Sequence, residues 1–187
     1  EIKPDYDQLS RRYGNAEAHA LISEARNALD WLGGFVDEQG LDCDYQRSGR
    51  FVAAHSARQF DKLAASVQHQ PAGLEQSLRI VEPQDQSSEI DSVYYHGGMV
   101  IDRHCSLDPA KYHAGLVELA RASGAELIGH CAATHIERDG SGFRVTTARG
   151  VIQARELVIA TNGYSGALAP WQQRRVIPIG SYMLATE

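Results

Sequence analysis

At 187 residues, 43% of them apolar and 22% charged, the chain has the composition of a globular protein. It is long enough to bury roughly 70% of its unfolded surface in one sizeable domain or two small ones. A formal net charge of −6 without a Lys/Arg cluster excludes the basic footprint of a nucleic-acid binder. No apolar run approaches the ~20 residues of a membrane span, and no basic-then-apolar segment stands at the start. Neither nucleic acid nor membrane is therefore an expected partner.

Glu1 to Gly14 is polar and aromatic without a clear period and reads as a lead-in. Asn15 is placed to cap a helix whose apolar residues Leu21, Ile22, Ala25, Leu29, Leu32, Phe35 and Val36 recur at three- and four-residue spacing. Gly33-Gly34 inside it costs roughly 1 kcal/mol per glycine relative to alanine, which predicts a bend or a close approach there. Gly40 terminates the helix. Cys43 to Ala54 predicts a hairpin turning near Ser48-Gly49 with Phe51 and Val52 buried. Ser56 caps a second helix carrying Phe60, Leu63, Ala64 and Val67. Short helices are expected around Leu74 to Ile80, within a polar stretch that holds Pro71 and Pro83. Val93 to Asp102 alternates like strands, with Gly97-Gly98 as a bend or bulge.

Asp108-Pro109 is a helix start, the carboxylate as N-cap and proline at the first helical position. That helix carries Tyr112, Leu116, Leu119 and Ala120 and ends at Gly124. Strands are predicted over Ala125 to His130, Ala132 to Arg138 and Phe143 to Thr147, with turns at Asp139–Gly142 and Arg149-Gly150. Glu156 to Thr161 is a short β-branched apolar run and reads as a strand buried on both faces, as in a parallel sheet. It ends in Asn162-Gly163, which tolerate positive φ, then Tyr164 and the small residues Ser165, Gly166 and Ala167. A strand ending in such residues leaves bare backbone at the carboxyl edge of a sheet, where ligands of open α/β folds bind.

The side chains most suggestive of chemistry have plainer explanations. Gly140-Ser141-Gly142 lies in a hairpin with no helix after it, so it is a turn and not a phosphate loop. Adjacent residues of an extended segment point to opposite faces, so His104 and Cys105 do not converge, and no zinc spacing is present. No metal is expected. Arg174-Arg175 beside Trp171 reads as a solvated charge pair. The three cysteines, Cys43, Cys105 and Cys131, contain no CxxC and read as reduced thiols of a cytoplasmic protein, one disulfide remaining possible. The chain begins with Glu and ends on the strand-like Ser181 to Glu187, which reads as a piece of a longer protein.

The run Leu157 to Ser165 (LVIATNGYS), with Ile177 to Glu187 (IPIGSYMLATE), resembles the D-amino-acid oxidase-like flavoenzymes, most like the bacterial γ-glutamylputrescine oxidases. The resemblance implies an α/β (mixed α+β) fold: a partial FAD-binding, Rossmann-like domain interleaved with part of an antiparallel-sheet substrate domain. On it, residues 1–104 are a helical lead-in and the first part of the substrate domain. Residues 105–173 are the second half of the FAD domain, and 174–187 return to the substrate domain. The family's Gly-x-Gly-x-x-Gly fingerprint is absent. Two flavin contacts carry over by position: Ala133, offering backbone to the adenine edge where the family usually has valine, and the strand end Ala160, Thr161, Asn162 and Gly163 near the ribityl–pyrophosphate part. Tyr95, Tyr164 and Tyr182 are the candidates to line a substrate pocket. No catalytic acid or base is identified. The implied activity is oxidation of the C–N bond of a small amine or amino acid by hydride transfer to FAD, with oxygen as acceptor. FAD is expected in the parent protein and held weakly or not at all by these residues alone. The competing reading is a non-catalytic binding or interaction module with an α+β fold.

Overall fold

A computed structural model describes residues 4–177 and 179–180. The chain divides into two compact units, Glu1–Ala125 and Glu126–Glu187.

The first unit opens on two helices, α1 (Tyr6–Tyr13) and α2 (Asn15–Gln39), packed against each other. The lead-in expected over Glu1 to Gly14 without a clear period thus contains a helix of its own. Asp5 and Gln8 form a reciprocal capping box, the Gln8 N–H donating to Asp5 Oδ1 at 2.8 Å and the Asp5 N–H to Gln8 Oε1 at 3.3 Å. That early start shifts the second cap as well. Gly14, at φ +92°, occupies the position before α2, and Asn15 is the first helical residue rather than the cap. The far end follows expectation: Gly40 is left-handed (φ 61°) and its N–H donates to the carbonyls of Val36 and Asp37. Gly33 is a close approach and not a bend. A Cβ there would stand 2.7 Å from the Tyr45 hydroxyl oxygen. Burial raises the pKa of that hydroxyl, and Cys105 adds to the effect.

Beyond α2 the strands β1 (Arg50–Ala53), β2 (Leu78–Val81) and β3 (Gly98–Ile101) form an antiparallel sheet in the order β1-β3-β2. β1 does not fold back on the Cys43–Ser48 segment as a hairpin. It pairs with β3, Arg50 opposite Ile101 and Ala53 opposite Gly98, while Gln46 bridges to Ser106. Leu78–Val81 is a strand rather than a helix because the free edge of β3 offers it a ladder, Leu78 opposite Ile101. A short 3-10 helix follows over Pro83–Ser88. α3 (Ala57–Gln68), capped by Ser56 accepting from the Gln59 N–H, packs on β2 and β3. α4 (Pro109–Ala122) starts as expected, Asp108 Oδ1 accepting from the N–H groups of Ala110 (2.8 Å) and Lys111 (3.0 Å). The Lys111 N–H leads in holding that carboxyl below its ordinary pKa, with a smaller contribution from Ala110. The buried residues of this unit include Leu9 and Ala18 of the helical pair, Cys43, Leu74, and Met99 and Val100 of the central strand.

The second unit is a meander of β4 (Ala133–Asp139), β5 (Gly142–Thr147) and β6 (Gly150–Ala154), then α5 (Pro170–Gln173). Both turns fall where the sequence places them, with Gly140 (φ 62°) and Gly150 (φ 140°) at positive φ. Its coverage is thin: among the described residues only Val145 and Ala169 are buried. Two expected strands have no ladder here. Residues 125–130 are irregular, with Leu127 and Ile128 exposed, and residues 156–161 run without strand pairing, with Val158 85% exposed. The β-branched pattern is present in the second run, but a buried strand exists only where neighbouring strands take up its backbone groups. None of the described strands of this unit pairs with either run.

No helix among the described residues is long and apolar enough to cross a membrane. All three cysteines are free, Cys43 buried and the other two half-buried.

Candidate functional site

The residues after Ile159 form a turn whatever the state of the run before them. Asn162 takes a left-handed conformation (φ 51°), and the Tyr164 N–H donates to the Thr161 carbonyl at 3.0 Å. Ser165 Oγ lies 3.3 Å from Thr161 Oγ1 and 3.4 Å from the Asn162 carbonyl, closing the turn. Thr161, Asn162, Gly163 and Tyr164 are therefore brought together. Among the described residues the N–H groups of Ala160, Asn162 and Gly163 donate to no internal acceptor. N–H groups at a left-handed turn are the chemistry that meets phosphate and hydroxyl oxygens. In donor type the turn fits the polar middle of a dinucleotide such as FAD. Tyr164 projects from it, 89% exposed.

Ala133 lies in the same unit at the start of β4, opposite Thr147, and the ladder shifts register between Ala133 and His135. A register shift frees backbone groups at that point of the strand, and backbone donors and acceptors are what an adenine edge needs. Side-chain size is secondary to that bonding, so alanine in place of valine does not disqualify the position.

Tyr95 belongs to the first unit, in the irregular segment Ser92–Gly97 that leads into β3. This segment replaces the strand expected over Val93–His96. It is half-exposed, Tyr94 at 72%, and Tyr94 and Tyr95 meet edge to face at 5.3 Å. Its two ends are tied by one side chain that the sequence did not single out. Gln86 is buried. Its Nε2 donates to the Ser92 carbonyl, and its Oε1 accepts from the Gly97 N–H at 2.9 Å. The main chain of His96 and Gly97 is further bonded to Ala54 at 2.8 and 2.9 Å. A glutamine in a polar, proline-flanked stretch carries no local signal of such a role. Only its burial shows it.

Replacing Gln86 by leucine is expected to lower stability by about 2 kcal/mol, because the buried Gly97 N–H loses the side-chain acceptor it has at 2.9 Å. Urea unfolding measures the loss. Hydrogen exchange of the Gly97 amide reports whether the Ser92–Gly97 segment loosens first. Wild-type protection at that amide in the variant rules out the clamp.

Tyr182 lies outside the described residues. No group of His, Cys, Asp or Glu arranged to hold a metal is found among the described ones. His104 Nδ1 sits 3.0 Å from the Cys105 carbonyl oxygen, a local contact. Arg175, just past the end of α5, lies over the Trp171 ring at 4.2 Å and donates to the Trp171 carbonyl at 3.1 Å.

The family model described as "DAO: FAD dependent oxidoreductase" matches residues 5–187. A probable oxidoreductase OrdL of Rhizobium meliloti is 28% identical over 181 residues, 96% of this chain and 42% of that protein. A gamma-glutamylputrescine oxidoreductase of Escherichia coli is 25% identical over 188 residues, 98% and 43% respectively. The crystal structure of glycine oxidase from Geobacillus kaustophilus superposes with a TM-score of 0.67 at 20% identity, over 79% of this chain and 40% of that one. The chain thus spans less than half the length of these proteins. The structural likeness shows the fold, a mixed α/β architecture with antiparallel sheets shared with that glycine oxidase.

Proposed function

The chain belongs to the family of FAD-dependent oxidoreductases, and on that premise we propose that its parent protein oxidises the C–N bond of a small amine or amino acid. The match over residues 5–187 carries this reading, since it takes in both units rather than one strand pattern. FAD is the family's cofactor. When bound, it supplies a two-electron acceptor for the hydride on the carbon beside the amine nitrogen, and oxygen is the proposed final acceptor.

The chain's own residues contribute binding and orientation. The N–H groups at Ala160, Asn162 and Gly163 would hold the ribityl–pyrophosphate portion, and the backbone of Ala133 the adenine edge. Tyr164, Tyr182 and the clamped Tyr95 are assigned to the substrate side. On this reading 105–173 serve the FAD domain, while 1–104 and 174–187 serve the substrate domain. A γ-glutamylated diamine is the proposed substrate, supported by the likeness to the Escherichia coli relative. Free thiols at Cys43, Cys105 and Cys131 support a reducing cytoplasmic setting. The fingerprint that provides most pyrophosphate contacts elsewhere is absent from these residues, so the 187-residue chain alone is expected to hold FAD weakly or not at all.

The test is to purify the parent reading frame beside the 187-residue chain and record visible absorbance. Oxidised flavin absorbs at about 375 and 450 nm, and stoichiometric bands reflect tight retention. A yellow parent that bleaches anaerobically on adding γ-glutamylputrescine supports the proposal in full. A yellow parent bleached only by other amines or amino acids corrects the substrate. A parent that stays colourless after incubation with FAD overturns the reading in favour of a non-catalytic module.

A further inference from the structure

The second unit keeps many of its large apolar side chains in water. Leu127, Ile128, Val151, Ile152, Val158 and Ile159 are 38–85% exposed, while among the described residues of this unit Val145 and Ala169 alone are buried. The first four of them line one open groove of about 460 Å³. The last two belong to the run 156–161, which has the composition of a buried strand. Among the described residues, 157–160 make no main-chain hydrogen bond, so both edges of this run are open.

The pattern of the run says what kind of cover it needs. Consecutive side chains of an extended segment point to opposite faces. Leu157 and Ile159 stand on one side and Val158 on the other, and all three are apolar. Covering one face therefore leaves the other wet. Such a run is stable inside a sheet, with a strand on each edge and a layer on each face. A second copy cannot supply this by a two-fold contact, which brings one strand to one edge and leaves the other bare. Additional polypeptide can. The Rhizobium meliloti and Escherichia coli relatives match 96% and 98% of this chain with 42% and 43% of their own length. More than half of a protein of that size is left to do the covering.

We propose that this surface is the seat of parent polypeptide lying outside the 187 residues, which lays one strand along each edge of 156–159. It covers Val158 on one face and Leu157 and Ile159 on the other. The left-handed turn at Asn162 follows the run closely, so filling the seat also holds that turn in place. The seat requires that these residues be part of a longer protein. It requires neither flavin nor amine oxidation.

Hydrogen exchange of the parent protein, read residue by residue, tests it. Successive N–H groups of a strand point to opposite edges, so two neighbours protect Leu157, Val158 and Ile159 together. Exchange of all three is expected to be about a hundredfold or more slower in the parent than in the 187-residue chain, and unchanged on roughly tenfold dilution of the parent. Val158→Asp, tolerated where a side chain stays in water, is expected to speed their exchange in the parent about tenfold or more. Fast exchange in the wild-type parent overturns the proposal, as does protection of alternate amides alone. Protection lost on dilution overturns it in favour of a second copy. Equal protection in the 187-residue chain overturns it in favour of the chain's own residues. Exchange indifferent to Val158→Asp also overturns it.

Discussion

Replacing Gly97 by alanine is expected to lower the unfolding free energy by roughly 4 kcal/mol. Two costs add at this position. Its φ is +73°, a region that an L side chain enters at a cost of about 1–2 kcal/mol. Space is lacking as well: an added Cβ would stand 3.0 Å from the Pro83 nitrogen and 3.1 Å from the Glu82 carbonyl carbon, with the Val81 carbonyl oxygen nearer still. All three are backbone, so no flexible side chain can yield, and the end of β2 or the start of β3 must move. Overpacking of that kind costs about 1–3 kcal/mol. Gly73 supplies the internal comparison. Its φ is +75°, yet the nearest atom to an added Cβ is the tip of His19 at 3.3 Å. Gly73→Ala is expected to lose only the conformational part, about 1 kcal/mol. Urea denaturation of the two variants separates the effects. Equal losses would show that the approach of β2 and β3 at Gly97 is looser than described.

Leu74→Ala is expected to cost about 3 kcal/mol, the usual loss when a buried leucine is truncated in a site that cannot collapse. Leu74 is 2% exposed and is among the largest fully buried side chains of the chain. Its main-chain carbonyl accepts from Arg26, and the substitution leaves that carbonyl in place. The loss is thus one of packing. Leu74→Met conserves volume and is expected to stay within about 1.5 kcal/mol of wild type. A loss below 1 kcal/mol for alanine, measured by the same unfolding curves, would place Leu74 at a yielding edge rather than in the core.

Helices were legible where their signals are local. Ser56 and Asp108 cap as read, Gly40 ends α2, and the apolar spacing along α2 and α4 is that of the elements found. The β4–β5 hairpin and the turn after it were legible for the same reason, since both turns carry glycine at positive φ, whereas the strand β6 beyond the second turn was not read from the sequence. The capping box at Asp5 and Gln8 is a local signal as well, standing in a stretch without a clear apolar period. Strand partners were not legible. Leu78–Val81 looks like part of a short helix until β3 is known to offer an edge, and Arg50–Ala53 looks like half of a hairpin until Gly98–Ile101 pairs with it.

The candidate site divides along the same line. The left-handed turn at Asn162 follows from Asn-Gly and was read correctly, because the conformation belongs to those residues themselves. The family likeness, and with it FAD, rests on residue patterns and needed no coordinates. The Gln86 clamp came only from the tertiary structure. It joins residues 11 positions apart, and no periodicity of a single element encodes such a meeting. The sequence alone determined backbone conformation set by neighbours within a turn of chain. The tertiary structure decided everything that depends on which distant backbone or side chain satisfies a buried polar group, because that choice is made by packing and not by local propensity.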